Sequence, residues 1–224
     1  AWRFWIASIA IIVILSIKEG IKLANVKENG LAYVIIGIIG IFGFNALFFI
    51  GLKYTTPLNG ALIMGTNPLM TTIIARLILK DPITKRQVFG IIFALIGVIL
   101  VITQGSLELI QSFSFSIGDF IILMGNLCWA LYGVLSRRYI KNSSPMANTT
   151  YTMIIGALSL ILLSTMYPNP VPYQSIPISA WGAIVFMSLC TSVLGYLWWN
   201  QGIKEIGAGK TALFFNFVPI VTMI

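Results

Sequence analysis

A 23-residue segment that occurs twice in the chain decides the fold. Its first copy, residues 51–73, is GLKYTTPLNGALIMGTNPLMTTI, and its second copy, residues 202–224, is GIKEIGAGKTALFFNFVPIVTMI. Aligned without a gap at an offset of 151 residues, the copies are identical at seven positions, including a Gly, a Lys and a Pro. Apolar bias would match Ala with Ala or Leu with Leu, but not these three residue types. We therefore interpret the match as an internal repeat.

The composition around the repeat is that of a membrane protein. Apolar residues make up 58% of the 224 residues and charged residues 9%, against about 25% charged in an ordinary soluble domain. A soluble chain of this length could not bury so much apolar surface. The net charge of +8 comes from basic residues scattered between apolar runs. This pattern argues against a nucleic-acid partner and favours a lipid bilayer.

Eight apolar segments are predicted to be membrane-spanning helices or parts of them, because a span needs about 20 residues. They lie at 2–17, 31–52, 57–79, 84–103, 117–135, 146–166, 180–199 and 211–224. With these spans, twelve Lys and Arg residues fall on one side and only Arg3 and Lys53 on the other. The basic-rich loops are predicted to be cytoplasmic, in a cell membrane of the inner or plasma type. Arg3 is expected to snorkel to the membrane surface.

The repeat unit contains five spans, because the offset moves the third span onto the eighth. An odd number of spans inverts the second copy in the membrane. We therefore predict an all-α integral membrane protein with a ten-helix inverted-repeat fold, five plus five, of which about eight spans are present here. Residues 1–105 form the first repeat without its first helix, and residues 106–224 form the second without its last. Inverted repeats are typical of alternating-access transporters, whose substrate site lies near the midplane.

Two helices broken by proline mark the predicted substrate site. Pro68 in the third span and Pro219 in the eighth have no N–H to donate, so each is predicted to bend its helix and leave one carbonyl group without its helical donor. In the third span, this is the carbonyl of Met64. Broken helices at equivalent repeat positions point to the binding site of a transporter. Thr66, Asn67 and Asn216 lie beside these prolines and are candidate substrate ligands. The alternative is a packing kink whose Asn is bonded internally.

Further candidates for substrate contact are polar or aromatic residues within the other spans. They are Asn45, Asn126, Trp129, Tyr132, Tyr196 and Asn200. Asn126, Trp129 and Gly133 recur at helical spacing and share one helix face. Aromatic faces could stack on a planar or cationic substrate. Trp and Tyr near span ends also form the interfacial belt, a role that we predict for Trp198 and Trp199.

The residue types that enzymes need are scarce in this chain. It has no His, two Cys, and six carboxylates that all lie at span ends or in loops. Membrane-embedded enzymes need His, paired carboxylates, an activated Ser or a metal site. We therefore predict no enzyme activity, no cofactor and no metal. The lack of a carboxylate in mid-span also favours facilitated efflux or exchange over proton antiport.

The residues after the start of the first copy resemble the EamA family of the drug/metabolite transporter superfamily. The resemblance is carried by PLNGALIMGTNP at 57–68, LKDPITKRQ at 79–87, and Gly90 and Gly97. Asp81 stands where the family usually has Glu. Gly118, Asp119, Trp129 and Tyr132 resemble the opening helix of the family's second half. The resemblance implies ten helices in two inverted five-helix repeats, and export or exchange of metabolites, amino acids or drugs.

Three functions remain open at this point. The leading one is a transporter of a small-molecule substrate, and the others are a non-transporting membrane scaffold or subunit and a channel. A scaffold has no need for two equivalent broken helices. The sequence has no ring of like charges and no filter-like loop of the kind that channels use. The protein is predicted to be a monomer or a homodimer.

Overall fold

The computed structural model describes residues 2–103, 106, 116–166 and 176–217, and every regular element in these ranges is helical. The α-helices are α1 (Trp2–Lys18), α2 (Leu23–Ile36), α3 (Phe44–Gly51), α4 (Pro57–Gly65), α5 (Asn67–Leu79), α6 (Lys85–Thr103), α7 (Ile117–Tyr139), α8 (Pro145–Met166), α9 (Ile178–Phe186), α10 (Gly195–Ile206) and α11 (Ala208–Leu213). The π-helical segment Gly37–Gly43 joins α2 to α3, and Met187–Leu194 joins α9 to α10. A 3₁₀ turn, Phe214–Phe217, follows α11.

Within the described residues, five continuous helices are long and apolar enough to cross a membrane. They are Asn25–Gly51, Pro57–Leu79, Ile117–Tyr139, Pro145–Met166 and Ile178–Ile206, which coincide with the second, third, fifth, sixth and seventh predicted spans. Helices α1 and α6 occupy the first and fourth predicted spans, and α11 begins the eighth. Pro219 and the second repeat copy from residue 218 onward lie outside the described residues. So does most of the segment around the predicted boundary between residues 105 and 106.

Side-chain hydroxyls fix where two of the spans begin. Thr56 Oγ1 accepts a hydrogen bond from the Asn59 N–H over 3.2 Å, and Pro57 is the first residue of α4. Ser116 caps α7 in the same way, and the Asp119 side chain accepts from the Ser116 N–H in return. A hydroxyl cap satisfies an N–H that the first helical turn leaves without a partner. The sequence therefore determines these starts locally.

The two π-helical segments are separated by the offset that relates the two sequence copies. Gly37–Gly43 and Met187–Leu194 end 151 residues apart, at the offset that aligns the two sequence copies. The same offset relates Pro57 and Ala208, the first residues of α4 and α11. π-Helix is rare and frequently lies at functional sites, so two π segments related by this offset are a notable feature of the fold.

Helix α7 lies at the centre of the bundle. It packs against α3, α4, α5 and the first π segment, while α8 packs against α1 and α10. Gly40 lets α7 approach closely, because a Cβ at this position would lie 2.3 Å from Tyr132 Cδ2. Small residues allow membrane helices to pack at short range. Tyr132 thus lies fully buried against the first π segment.

Contacts between span ends divide the bundle into two ends. At one end, Arg137 near the end of α7 forms a salt bridge of 2.5 Å with Asp81, which follows α5. At the other end, Thr55 Oγ1 donates to Asp119 Oδ1 over 2.5 Å. The first end carries the basic-rich loops and is called the basic end below. This separation agrees with the alternation of loops that the charge pattern predicts.

Candidate functional site

An aromatic cluster forms around Trp129 in the interior of the bundle. The centre of the Trp129 ring system lies 5.1 Å from the ring centres of Phe44 and Tyr196, 5.3 Å from Trp199, 5.4 Å from Tyr132 and 6.2 Å from Phe215. These six residues, called the Trp129 cluster, come from α3, α7, α10 and the 3₁₀ turn. The cluster therefore joins elements of both predicted repeats.

Several buried polar atoms of this region have no hydrogen-bond partner within the described ranges. They are Trp129 Nε1, Trp199 Nε1, Tyr196 Oη, and both Asn216 Nδ2 and Oδ1, one residue after Phe215. A buried polar group without a partner costs about 1–3 kcal/mol of stability, and such groups are rare in folded proteins. A bound molecule with polar groups of its own would recover this cost.

A network of amides and hydroxyls lies beside the cluster. Asn200 Nδ2 donates to Tyr132 Oη over 2.7 Å and to Thr149 Oγ1 over 2.8 Å. Asn148 Nδ2 donates to Asn200 Oδ1 over 2.9 Å. The network fixes the Tyr132 hydroxyl and links α7, α8 and α10. The sequence prediction included Tyr132 and Asn200 but missed Asn148 and Thr149, although an amide inside a charge-free span was the available signal.

A cavity of about 260 Å³ connects this network to the surface at the basic end. Its lining includes Asn148 and Asn200 at the inner end and the exposed residues Arg137 and Lys204 at the outer end. Asn148 Oδ1 and Ser136 Oγ line it and have no hydrogen-bond partner in the part of the chain that the structure describes. The cavity thus extends from the surface to Asn200, whose side chain donates a hydrogen bond to Tyr132.

A second polar group ties the broken third span to α7. Asn67 Nδ2 donates to Asn126 Oδ1 over 2.6 Å, and Asn126 Nδ2 donates to the Ile63 carbonyl over 2.8 Å and to Thr66 Oγ1 over 3.1 Å. The helix is interrupted at Thr66, between α4 and α5, so Pro68 lies in the first turn of α5. The carbonyl that Asn126 satisfies is that of Ile63, one residue before Met64.

The predicted Asn ligands therefore differ in their surroundings. Asn67 and Asn126 are both 0% exposed and satisfy each other. Asn45 is also buried and donates to the Ile41 carbonyl within its own helix over 2.7 Å. Asn216, in contrast, has buried amide atoms without a partner among the described residues. Of the predicted site residues in the described ranges, those around Trp129 lie together in one cluster, and those around Asn67 connect helices.

The sequence as a whole matches one family. The pattern of the EamA-like transporter family covers residues 1–103 and 116–224. The chain belongs to the EamA-like transporter family. It is therefore a membrane transporter, in agreement with its apolar helices.

EamA-like relatives cover the whole chain. An uncharacterized transporter of Bacillus subtilis (strain 168), YyaM, is 64% identical over 224 residues, which are 100% of this chain and 73% of the relative. An uncharacterized transporter of Archaeoglobus fulgidus is 24% identical over 100% of this chain and 72% of its own length. A protein of known crystal structure, 19% identical, superposes with a TM-score of 0.80 over 99% of this chain and 74% of that chain, and so shares its fold.

Two sequence predictions about this EamA-like transporter are wrong. Trp199 was expected in the interfacial belt, but the seventh span continues to Ile206, so Trp199 lies inside the helix and packs in the Trp129 cluster. Trp198, at 71% exposure, faces outward as predicted for a belt residue. Arg3 was expected to snorkel to the surface, but its Nε donates to Ser192 Oγ over 2.9 Å. Ser192 is 0% exposed, so the Arg3 side chain points into the bundle.

A larger cavity of about 540 Å³ lies between the third, fourth and seventh spans at the basic end of the EamA-like fold. Its lining includes Arg137 and Asp81, which form the salt bridge, and Lys210. Gln87 Nε2 also lines it and donates to Thr72 Oγ1 over 3.2 Å, which connects α6 to α5. This cavity is open to solvent and lies apart from the Trp129 cluster.

Proposed function

We propose that the chain exports or exchanges a small metabolite, amino acid or drug by alternating access, with the Trp129 cluster as its substrate site. The observation that carries the proposal is the set of buried polar atoms of Trp129, Trp199, Tyr196 and Asn216 that lack partners in the described residues. A site that closes around a substrate needs polar groups that are free in its absence. The aromatic rings supply the apolar surface.

The proposed architecture is a ten-helix bundle of two inverted five-helix repeats, with residues 1–105 in the first and 106–224 in the second. The matched π segments and the matched starts of α4 and α11 support this arrangement. In such a fold, the substrate site lies where the repeats meet. The Trp129 cluster fits that position, because Phe44 comes from the first proposed repeat and the other members come from the second.

The two ends of the bundle support a state that is open at the basic end. There the 260 Å³ cavity reaches Asn148 and Asn200. At the opposite end, the Asp119 carboxylate accepts from Thr55, from Asn59 and from both the N–H and the hydroxyl of Ser116. We place the basic end in the cytoplasm of a cell with the protein in its inner or plasma membrane. The structure would then be the inward-open state.

Asn67 and Asn126 have a positioning role in this proposal. Asn126 donates to the Ile63 carbonyl at the break between α4 and α5, and Asn67 donates to Asn126. A break whose polar groups stay hydrogen-bonded can act as a hinge between two states. Because the bundle has no carboxylate in the middle of a described span, we retain facilitated efflux or exchange as the mode of transport. A monomer or a homodimer is compatible with it.

The test is ligand-dependent thermal stabilisation of the purified chain, screened against amino acids, nucleosides and cationic drugs. A ligand that binds only the folded state raises the melting temperature. Trp129→Phe keeps a ring but removes the free N–H, so it should abolish or strongly reduce the response. Trp198→Phe, the matched control at an exposed position, should leave the response unchanged. A response that is equal in both variants would refute the proposed site, and a folded protein that responds to no compound would favour a scaffold.

A further inference from the structure

Arg3 is a cation whose side chain is directed into the bundle. It is half-buried, and its Nε donates to Ser192 over 2.9 Å. Ser192 is the central residue of the 29-residue helix Ile178–Ile206. The guanidinium carbon lies 4.7 Å from the centre of the Phe4 ring, which stabilises the charge through its π face. Arg3 therefore presents positive charge toward the middle of a spanning helix.

Most N–H groups of the Arg3 guanidinium have no hydrogen-bond partner in the described residues. Arginine has five N–H groups, and only the one on Nε has a hydrogen-bond partner in the described ranges. No carboxylate of those ranges forms an ion pair with Arg3. Glu19, Glu28, Asp81 and Glu205 all lie at the basic end, and Asp119 is bonded to Thr55 and Ser116. Among the described residues, Arg3 is thus a charge inside the bundle without a counter-ion, and such a charge is costly and commonly marks a substrate site.

Arg3 is connected to the Trp129 cluster through two aromatic rings. The Phe4 and Tyr196 ring centres are 6.2 Å apart in an edge-to-face arrangement, and the Tyr196 and Trp129 ring centres are 5.1 Å apart. The hydroxyl of Tyr196 and the indole N–H of Trp129 have no partner at hydrogen-bonding geometry in the described residues, and both can donate hydrogen bonds. The region thus combines positive charge, donors and aromatic faces.

We infer that the substrate carries a carboxylate or a similar small anionic group on a planar apolar body, and that Arg3 selects it by charge. The inference rests on the proposed function, because it names the substrate class of the same site. Charged hydrogen bonds from Arg are strong and directional. A cationic compound would meet Arg3 with no carboxylate of the described residues paired to it to offset the repulsion, so the site disfavours cationic drugs.

The experiment uses three probes that share one indole ring system: indole-3-acetate, an anion; indole-3-acetamide, which is neutral; and tryptamine, a cation. Calorimetric titration of the full purified chain in detergent gives Kd for each. Indole-3-acetate should bind at least about ten-fold more tightly than the other two, the gain expected of one charged hydrogen bond. Arg3→Gln should remove this preference and Arg3→Lys should keep part of it. Arg138→Gln, at an exposed arginine of the basic end, should match the wild type.

Three results of the probe titrations would overturn the inference. They are tighter or equal binding of tryptamine, a preference for indole-3-acetate that survives in Arg3→Gln, and no binding of any probe to the folded protein. An anionic lipid headgroup offers the same chemistry as a carboxylate. If Arg3 held a lipid, Arg3→Gln would change thermal stability in phosphatidylglycerol nanodiscs but not in phosphatidylcholine nanodiscs. Probe binding would then be the same in the variant and the wild type. This outcome would also overturn the inference.

A transport measurement separates this inference from the proposed function. Exchange of a neutral or cationic compound that depends on Trp129 would overturn the inference about charge and leave the proposed function intact. Absence of exchange for compounds of every charge class would refute the proposed function itself. Exchange confined to anions, and lost in Arg3→Gln, would support both.

Discussion

Replacing Tyr196 with Phe should stabilise the ligand-free protein and weaken substrate binding. The Tyr196 hydroxyl is buried close to the Asn45 side chain, but it has no partner at hydrogen-bonding geometry in the described residues, and removing such a group relieves about 1–3 kcal/mol. At about 2–4 °C per kcal/mol for a chain of this size, the melting temperature should rise by about 2–12 °C. If the substrate uses this hydroxyl, its affinity should fall by about 5- to 150-fold, because each 1.4 kcal/mol is roughly a factor of ten.

The matched control is Tyr132→Phe. The Tyr132 hydroxyl accepts a hydrogen bond of 2.7 Å from Asn200, so the same chemical change removes a satisfied group and should lower stability by about 0.5–1.5 kcal/mol. Thermal unfolding of both variants in detergent, followed by calorimetric titration with a substrate, measures both effects. A loss of stability in Tyr196→Phe equal to that in Tyr132→Phe would refute the reasoning that Tyr196 is held free for a ligand.

Two further predictions concern the packing and the closed end. Gly40→Ala should lower the free energy of unfolding by about 1–3 kcal/mol, because the new Cβ would overlap the ring of Tyr132. In the control Gly90→Ala, the new Cβ has no atom within 4 Å, so this variant should not be destabilised. Equal melting temperatures for the two variants would contradict the close packing at Gly40. Asp119→Asn should lower the free energy of unfolding by about 1.5–3 kcal/mol, because it removes hydrogen bonds to a charged group. Asp81→Asn breaks an exposed salt bridge and should lower it by at most about 1 kcal/mol. Equal losses in denaturant unfolding would show that the Asp119 network does not hold this end closed.

The helices were predictable because their signals are local or periodic. Apolar runs of the right length predict the spans, and the predicted start of the third span at residue 57 is confirmed, because Thr56 caps a helix that begins at Pro57. The π segments at Gly37–Gly43 and Met187–Leu194 were not predicted, because a π turn leaves the apolar pattern of the span unchanged. The seventh span was predicted too short, since Gln201, Lys204 and Glu205 near its end are polar but remain helical.

The site was predictable in its residue types but not in its geometry. Amides and aromatic residues inside apolar spans selected Trp129 and Asn200, which lie in or beside the cluster. Sequence alone could not distinguish Asn67, whose amide donates to Asn126, from Asn216, whose amide has no partner among the described residues. That difference depends on which residue of another helix lies opposite. For the same reason, the sequence predicts Arg3 at the surface, whereas its side chain donates a hydrogen bond to the buried Ser192.

Counterflow in proteoliposomes tests the central claim most directly. Liposomes containing the purified chain are loaded with an unlabelled compound that stabilises it, and uptake of the same compound in labelled form is followed over time. The account predicts a transient, saturable overshoot that Trp198→Phe retains and Trp129→Phe loses. Uptake that rises linearly with concentration, as through a channel, or an overshoot of equal size in both variants would contradict alternating access through the Trp129 cluster.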